Sequence, residues 1–183
     1  MIKVFLFLVI GLLNFTNNAF SSEFVIESLK KGGKIVFIRH AIAPGSGDPE
    51  NINLQDCTTQ RNLSEEGIKQ SINIGKFFKN NKIQIDKILS SEWCRCKDTA
   101  KLAFGNFKTF SALNSFYDEK FAKNEDKQIQ ELNNYIKDWE SNKNLVLVTH
   151  YVVISSILHR GVSSGEIVVS DKKLNIIGSI TFD

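Results

Sequence analysis

A chain of 183 residues, 42% apolar and 23% charged, can bury one globular core but has no room for a second. Its formal charge of +3 comes from 23 basic residues scattered among 20 acidic ones, so no polyanion-binding stripe is visible and nucleic acid is not an expected partner. The wealth of Ile, Val, Leu and Phe excludes a disordered chain, and no repeat or low-complexity tract is visible.

The first segment reads as a signal peptide over residues 1–21, leaving 22–183 as the mature domain. Lys3 gives a positive start, Val4 to Leu13 is an apolar run, and Ala19-Phe20-Ser21 places small residues at a cleavage site. The run falls short of the roughly 20 residues that span a bilayer. An uncleaved anchor stays open as the alternative. No Cys follows the run, which argues against a lipoprotein. The expected location is periplasmic or secreted, with no stable membrane insertion once the signal is removed.

Along the mature chain, Glu23–Lys31 can form a helix closed by Gly32-Gly33, and Lys34–Arg39 a first buried strand. Residues 42–62 form a long loop of the kind that serves as a substrate rim. Ser64 then caps a helix whose apolar stripe is read as Ile68, Ile72, Gly75 and Phe78, with Glu65 and Glu66 in its first turn. Lys87–Ser90 is strand two. A helix carrying Arg95 runs to Phe104, with Gly105 as its stop, and Phe107–Phe110 is a third strand. The mixed charges from Lys120 to Lys127 read as a solvated, mobile segment. Ile129, Leu132, Ile136 and Trp139 mark another helix, Leu145–Thr149 a strand and Tyr151–Leu158 a helix. Ile167–Val169 and Asn175–Thr181 are late strands. Alternation of strand and helix predicts an α/β fold, a three-layer αβα sandwich with a mainly parallel central sheet. The strand C-terminal ends of such a sheet share one rim, so His40, Ser90 and His150 are expected to converge.

Export to an oxidising compartment makes disulfide partners of Cys57, Cys94 and Cys96. On a helix Cys96 shares a face with Ala100 and Ala103, whereas Cys94 shares a wetter face with Asp98 and Lys101. A Cys57–Cys94 bridge with Cys96 buried is therefore favoured, with three free thiols as the standing alternative. Cys-x-Cys with one distant Cys matches no usual zinc spacing, and neither a metal nor a cofactor is expected.

Arg39-His40-Ala41 sets a guanidinium beside an imidazole just past a buried strand, a pairing that can hold an oxyanion and attack it. With Ser90-Ser91-x-x-x-Arg95-x-x-x-Thr99-Ala100, Leu147-Val148-Thr149-His150 and Leu63-Ser64-Glu65-Glu66-Gly67, it resembles the histidine phosphatase superfamily, the phosphoglycerate-mutase-like enzymes. The resemblance covers roughly residues 33–160. It implies that His40 is the nucleophile that becomes a phosphohistidine, and that His150, protonated, steadies the same phosphoryl oxygens. Arg39 and Arg95 are the implied phosphate ligands, with backbone donors from the start of the Arg95 helix.

Many family members carry a Glu in a Leu-x-Glu context as proton donor. Here Leu113-Asn114-Ser115 puts Ser in that place. Asp118 is the substitute acid considered, against the reading of Tyr117-Asp118-Glu119-Lys120 as plain solvated loop. Without an acid, good leaving groups such as acyl phosphates or phosphohistidine are favoured. The segment from Asp48-Pro49 to Ser64 resembles small exported bacterial members, among them lipopolysaccharide core heptose phosphatases. Asn51, Asn53, Gln55, Asp56, Gln60 and Arg61 suit a sugar phosphate or glycan phosphate, and Arg61 is either a third phosphate ligand or a partner of Asp56. The implied activity is hydrolysis of phosphomonoesters. A phosphohistidine protein phosphatase and a non-catalytic phosphoglycan-binding protein are the alternatives. His159, at a helix end and outside every motif, is given no role.

Overall fold

The computed structural model describes residues 22–182, so the segment read as a signal peptide lies outside the described residues. A helix covers residues 22–31 (α1) and leads to β1, Ile35–Arg39. Then come α2 (Glu65–Asn80), β2 (Ile85–Ser90), α3 (Cys94–Phe104), β3 (Lys108–Thr109), the short α4 (Glu119–Ala122) and α5 (Glu125–Asp138). β4 (Asn144–Thr149), α6 (Tyr151–Leu158), β5 (Ile167–Ser170) and β6 (Ile176–Ile180) complete the chain. The sheet order is β3-β2-β4-β1-β5-β6. β1, β2, β3 and β4 are mutually parallel, and β5 runs antiparallel to both β1 and β6. This is the expected mainly parallel α/β sandwich.

Side-chain alternation explains the three layers. In β1 and β4, Ile35, Phe37, Leu145 and Leu147 point to one face and meet Leu132 and Ile136 of α5 and Val153, Ile154 and Ile157 of α6. Val36, Ile38, Val146 and Val148 point to the other, against Val25 and Leu29 of α1, Ile74 and Phe78 of α2, and Cys96 and Ala100 of α3. Both faces are covered, so every residue of β4 is buried and its apolar run is nearly unbroken.

Most element positions match the reading from sequence, with several corrections. Strand two begins two residues earlier, at Ile85, and strand three is only Lys108–Thr109. The segment Lys120–Lys127 is not a loose loop but forms α4 and the start of α5. Periodicity misplaces the stripe of α2: Ile68 and Ile72 are exposed, while Gly67, Gln70, Ser71, Ile74 and Phe78 are buried. Gly67 shows why. A Cβ there would lie 2.1 Å from the Ile42 carbonyl oxygen, so α2 presses its bare backbone against the chain just past His40. Ser64 caps α2 by accepting from the Gly67 N–H, and its own N–H donates to Ile42 O at 3.0 Å. Periodicity alone counts apolar residues, and here Gly67 and Gln70 face inward at that contact, where Gln70 Oε1 accepts from the Ile42 N–H at 3.1 Å, while Ser71 donates within the helix to Gly67 O.

The Cys57–Cys94 disulfide is present and ties the loop between β1 and α2 to the first residue of α3. Cys96 is the free, buried thiol. The wetter face is present at Asp98 and Lys101, both exposed, but Cys94 does not share their exposure. Cys94 is fully buried, because the loop it holds folds over it.

Candidate active site

Strands β2, β4 and β1 lie side by side, with Arg39 in register with Thr149 and Ser90 with Val148. Residues just past their C-terminal ends therefore meet. His40 donates its N–H to Thr149 O at 2.9 Å, and Ser91 donates to Val148 O at 2.9 Å. Thr99 on α3 accepts from the Ala41 N–H at 3.0 Å while its hydroxyl donates to Arg95 O at 2.7 Å. The threonine of the second motif thus pins the turn of the first.

The rim encloses a cavity of about 170 Å³ lined by Arg39, His40, Arg61, Arg95, Asp118 and His150, the six residues singled out from sequence. Gly45 to Asp48, Ser115, Tyr117, Tyr151 and Val152 complete the wall. The volume is below the roughly 300–1,000 Å³ of pockets that swallow whole drug-sized ligands. Among the described residues no cluster of His, Cys, Asp and Glu suits a metal ion.

His40 is buried, with Nδ1 2.9 Å from the Ala41 carbonyl oxygen. A carbonyl only accepts, so Nδ1 carries the proton and the Nε2 lone pair is left for an electrophile. Burial first, then the Arg95 charge, hold the His40 pKa well below 6.5; Arg39 and Arg61 add to this, against the opposing Ala41 hydrogen bond. The ring of His150 lies 5.5 Å away, centroid to centroid. Its Nε2 is 2.8 Å from Ser91 Oγ, whose own proton goes to Asn114 Oδ1 at 3.1 Å. Ser91 therefore accepts from Nε2–H, and Nδ1 faces the Arg95 Nη2 donor at 3.5 Å. Burial, followed by Arg95 and His40, keeps the His150 pKa well below 6.5 as well. The protonated His150 expected from the resemblance is thus disfavoured in the ligand-free protein, and a phosphoryl dianion is the charge that would reverse this.

The arginines differ from one another. Arg95 is buried, and its fork does not face open space: Asp48 accepts from Nη1 at 2.8 Å and from Nη2 at 3.0 Å. The same carboxylate accepts from Trp93 Nε1 at 3.1 Å and from the Arg61 backbone N–H at 3.0 Å. Four donors satisfy a carboxylate whose side chain is 1% exposed. Asp48 is the cavity residue that sequence reasoning missed. It stood in the quoted loop, but only its burial against Arg95 sets it apart. Arg61 does not pair with Asp56, one of its two expected partners, and it lines the cavity where the other, a phosphate, would sit. Its Nε donates to Gly47 O at 2.9 Å and its Nη1 to Ala43 O, while Asp56 caps Thr58 instead. Arg39 donates to Val162 O at 2.9 Å and lies over the Tyr151 ring at 5.5 Å. The Nε groups of Arg39 and Arg95 are buried without a protein partner, two donors a ligand oxygen could use.

Other expectations fail here. The start of α3 gives no backbone donor to the cavity at Cys94, whose N–H goes to Gln60 Oε1 at 2.9 Å. Asn51, Asn53, Gln55, Asp56 and Gln60 do not line the cavity. Ser115, in the place of the family's Glu, does line it, as does Asp118, whose side chain makes no cap bond to α4. Burial pushes the Cys96 thiol up to about 12, so it is an inert neighbour of His150. His159 ends α6 in a left-handed conformation and takes no part in the site.

Residues 35–114 match the family model of the histidine phosphatase superfamily (branch 1). The match spans less than half of the chain and agrees with the resemblance carried by the four motifs. No curated protein matches the chain in sequence. Among solved structures, the phosphoglycerate mutase of Thermus thermophilus is similar at TM-score 0.60 and 14% identity, over 82% of this chain and 99% of that one. An Agrobacterium tumefaciens protein assigned as the phosphohistidine phosphatase SixA gives 0.58 and 18%, over the same shares. A phosphoserine phosphatase of Entamoeba histolytica, solved with phosphoserine, gives 0.54 and 20%, over 74% of this chain and 89% of that one. At these identities the likeness is one of fold.

Proposed function

We propose that the chain is an exported phosphatase that hydrolyses phosphomonoesters through a phosphohistidine on His40. One observation carries the reading: the unprotonated Nε2 of a neutral, buried imidazole belongs to a cavity that three guanidiniums share. Arg39, Arg61 and Arg95 neutralise the phosphoryl oxygens, and His150 gains a proton as the dianion arrives. His40 Nε2 attacks phosphorus, a P–N bond forms and the ester P–O bond breaks, the electron pair leaving with the alkoxide. Asp118 is the proton donor proposed for that oxygen. Water then attacks phosphorus and gives a proton to the Asp118 carboxylate, restoring the acid, while the P–N pair returns to His40 and inorganic phosphate departs.

The substrate proposed is a sugar phosphate or envelope glycan phosphate. The support is the likeness of the loop from Asp48 to Ser64 to small exported members of the family. E. histolytica phosphoserine phosphatase, seen with its own small phosphorylated ligand, is consistent with a small phosphorylated group at this site. Export is supported by the leader-like residues 1–21 and by a disulfide, which reducing compartments rarely preserve. No helix among the described residues is long and apolar enough to cross a membrane.

The test is hydrolysis of p-nitrophenyl phosphate by the mature chain, in EDTA, beside His40→Ala. We expect turnover by the native protein and a fall of about 10⁴-fold or more in the variant, with phosphate still bound. Equal activity in both proteins would remove His40 from the chemistry.

A further inference from the structure

The cavity has neighbours beyond its tyrosine edge. Tyr117, Tyr151 and Val152 wall it there, and the same three residues wall a second depression of about 340 Å³ whose far side is Glu125, Ser155 and Ser156. Glu125 and Ser156 in turn border a third depression, of about 530 Å³, lined also by Asp126, Ile129, Gln130, Asn133 and Asn134. Shared lining residues set the three side by side. They form a trough that leaves the arginine pocket between two tyrosines and follows α5 from Glu125 to Asn134, on the order of 14 Å of helix.

The trough's chemistry differs from that of the pocket it leaves. The pocket carries Arg39, Arg61 and Arg95, whereas neither further depression is lined by any Lys or Arg. Instead they offer carboxylates, hydroxyls and amides, with Tyr117 and Tyr151 at the entrance, 62% and 44% exposed. Ser156 donates to Glu125, which leaves that carboxylate with acceptor capacity towards the trough. Two carboxylates repel a second phosphate, so a bisphosphorylated ligand is disfavoured. Hydroxyl groups fit such a lining on both counts, since they donate to Glu125 and Asp126 and both donate to and accept from the amides. The flat apolar face of a pyranose ring fits the exposed Tyr117 ring, and the face of Tyr151 that Arg39 does not cover.

We infer that this trough is a binding subsite for a neutral, polyhydroxylated chain bearing one terminal phosphomonoester, so that the preferred substrate is a phosphorylated oligosaccharide rather than a monosaccharide phosphate. The inference rests on the proposed phosphatase site but concerns what lies beyond the scissile bond.

The experiment measures affinity in a protein that cannot turn over. His40→Ala is titrated calorimetrically with monophosphorylated sugars of one, two and three units, and with serine phosphopeptides of matched length. Affinity is expected to rise about tenfold from one sugar unit to three and to stay flat along the peptides. Gln130→Ala/Asn134→Ala, two exposed helix positions where alanine favours the fold, should erase the gain. In the protein with His40 intact, the same pair should leave p-nitrophenyl phosphate turnover unchanged. A flat sugar series, a gain with peptides instead, or a gain that survives the double substitution would each overturn the inference. Failure of the phosphatase reading looks different: no His40-dependent turnover of p-nitrophenyl phosphate, whatever the sugar series shows.

Discussion

The two walls of the pocket are built to different standards. On the α3 side, Arg95, Trp93, Ser91 and His150 are all buried, and Asp48 and Asn114 bind them into one hydrogen-bonded network. On the opposite side, Ser115 to Asp118 present an exposed Tyr117, an aspartate without a capping bond and a short helix. In the proposed reaction the first wall faces the phosphoryl group, whose shape and charge are the same in every phosphomonoester. The second faces the leaving group, which varies. Preorganised donors lower the cost of stabilising charge only where its position is fixed, so rigidity on one side and openness on the other match the division of labour in the proposed reaction.

That contrast can be broken most severely at Asp48. Asp48→Ala leaves the buried Arg95 guanidinium unpaired, and stability should fall by about 3–5 kcal/mol in urea or thermal unfolding, with weaker phosphate binding in whatever remains folded. A loss below about 1 kcal/mol would show that the pair is not the anchor of the rigid wall. Removing the Cys57–Cys94 bridge by Cys57→Ser should cost about 2–4 kcal/mol, since it frees the loop that carries Asp48 and Arg61. Unfolding of the oxidised and variant proteins under the same denaturant checks this, and KM should rise more than kcat falls.

Asp118→Asn sharpens the open wall. It should slow alkyl phosphates by about 10²-fold, the low end for a lost general acid, and p-nitrophenyl phosphate far less. Equal slowing of both would take Asp118 out of the acid role.

The smallest effect is on pH dependence. Because His40 has a pKa held below 6.5, kcat/KM should persist on the acid side of 6.5 and fall only as His40 takes up its proton. The same depression in His40 and His150 has a stability consequence. Below about 6.5 the unfolded chain binds protons that the folded chain refuses, so stability is full above that pH and declines as pH falls towards the lowered folded values. A melting temperature that stays flat from pH 7.5 to 5.5 would contradict it.

The strands, the helices and the convergence of His40, Arg95 and His150 were legible in the sequence, because a buried parallel strand writes itself as an apolar run and its C-terminal end has a known place in the fold. The disulfide was legible too, although the argument from an exposed face fails for Cys94. The facing of α2 was not. Gly67 and Gln70 turn inward to let the helix touch the backbone at Ile42, and hydrophobic periodicity has no term for that. Asp48 was hidden for a related reason. A carboxylate in a polar loop looks solvated until the chain folds it under Arg95 and Trp93, where losing water leaves it dependent on four protein donors.

Sequence by itself therefore carried the family resemblance, the order of the layers and most of the side chains that reach the rim, since these follow from local patterns of polarity and from short motifs. The tertiary structure alone decided which groups are charged, which donors are already taken and which wall stays open. Those properties depend on burial and on partners far away in the chain, such as Asp48 for Arg95 and Ser91 for His150, and no local pattern encodes them.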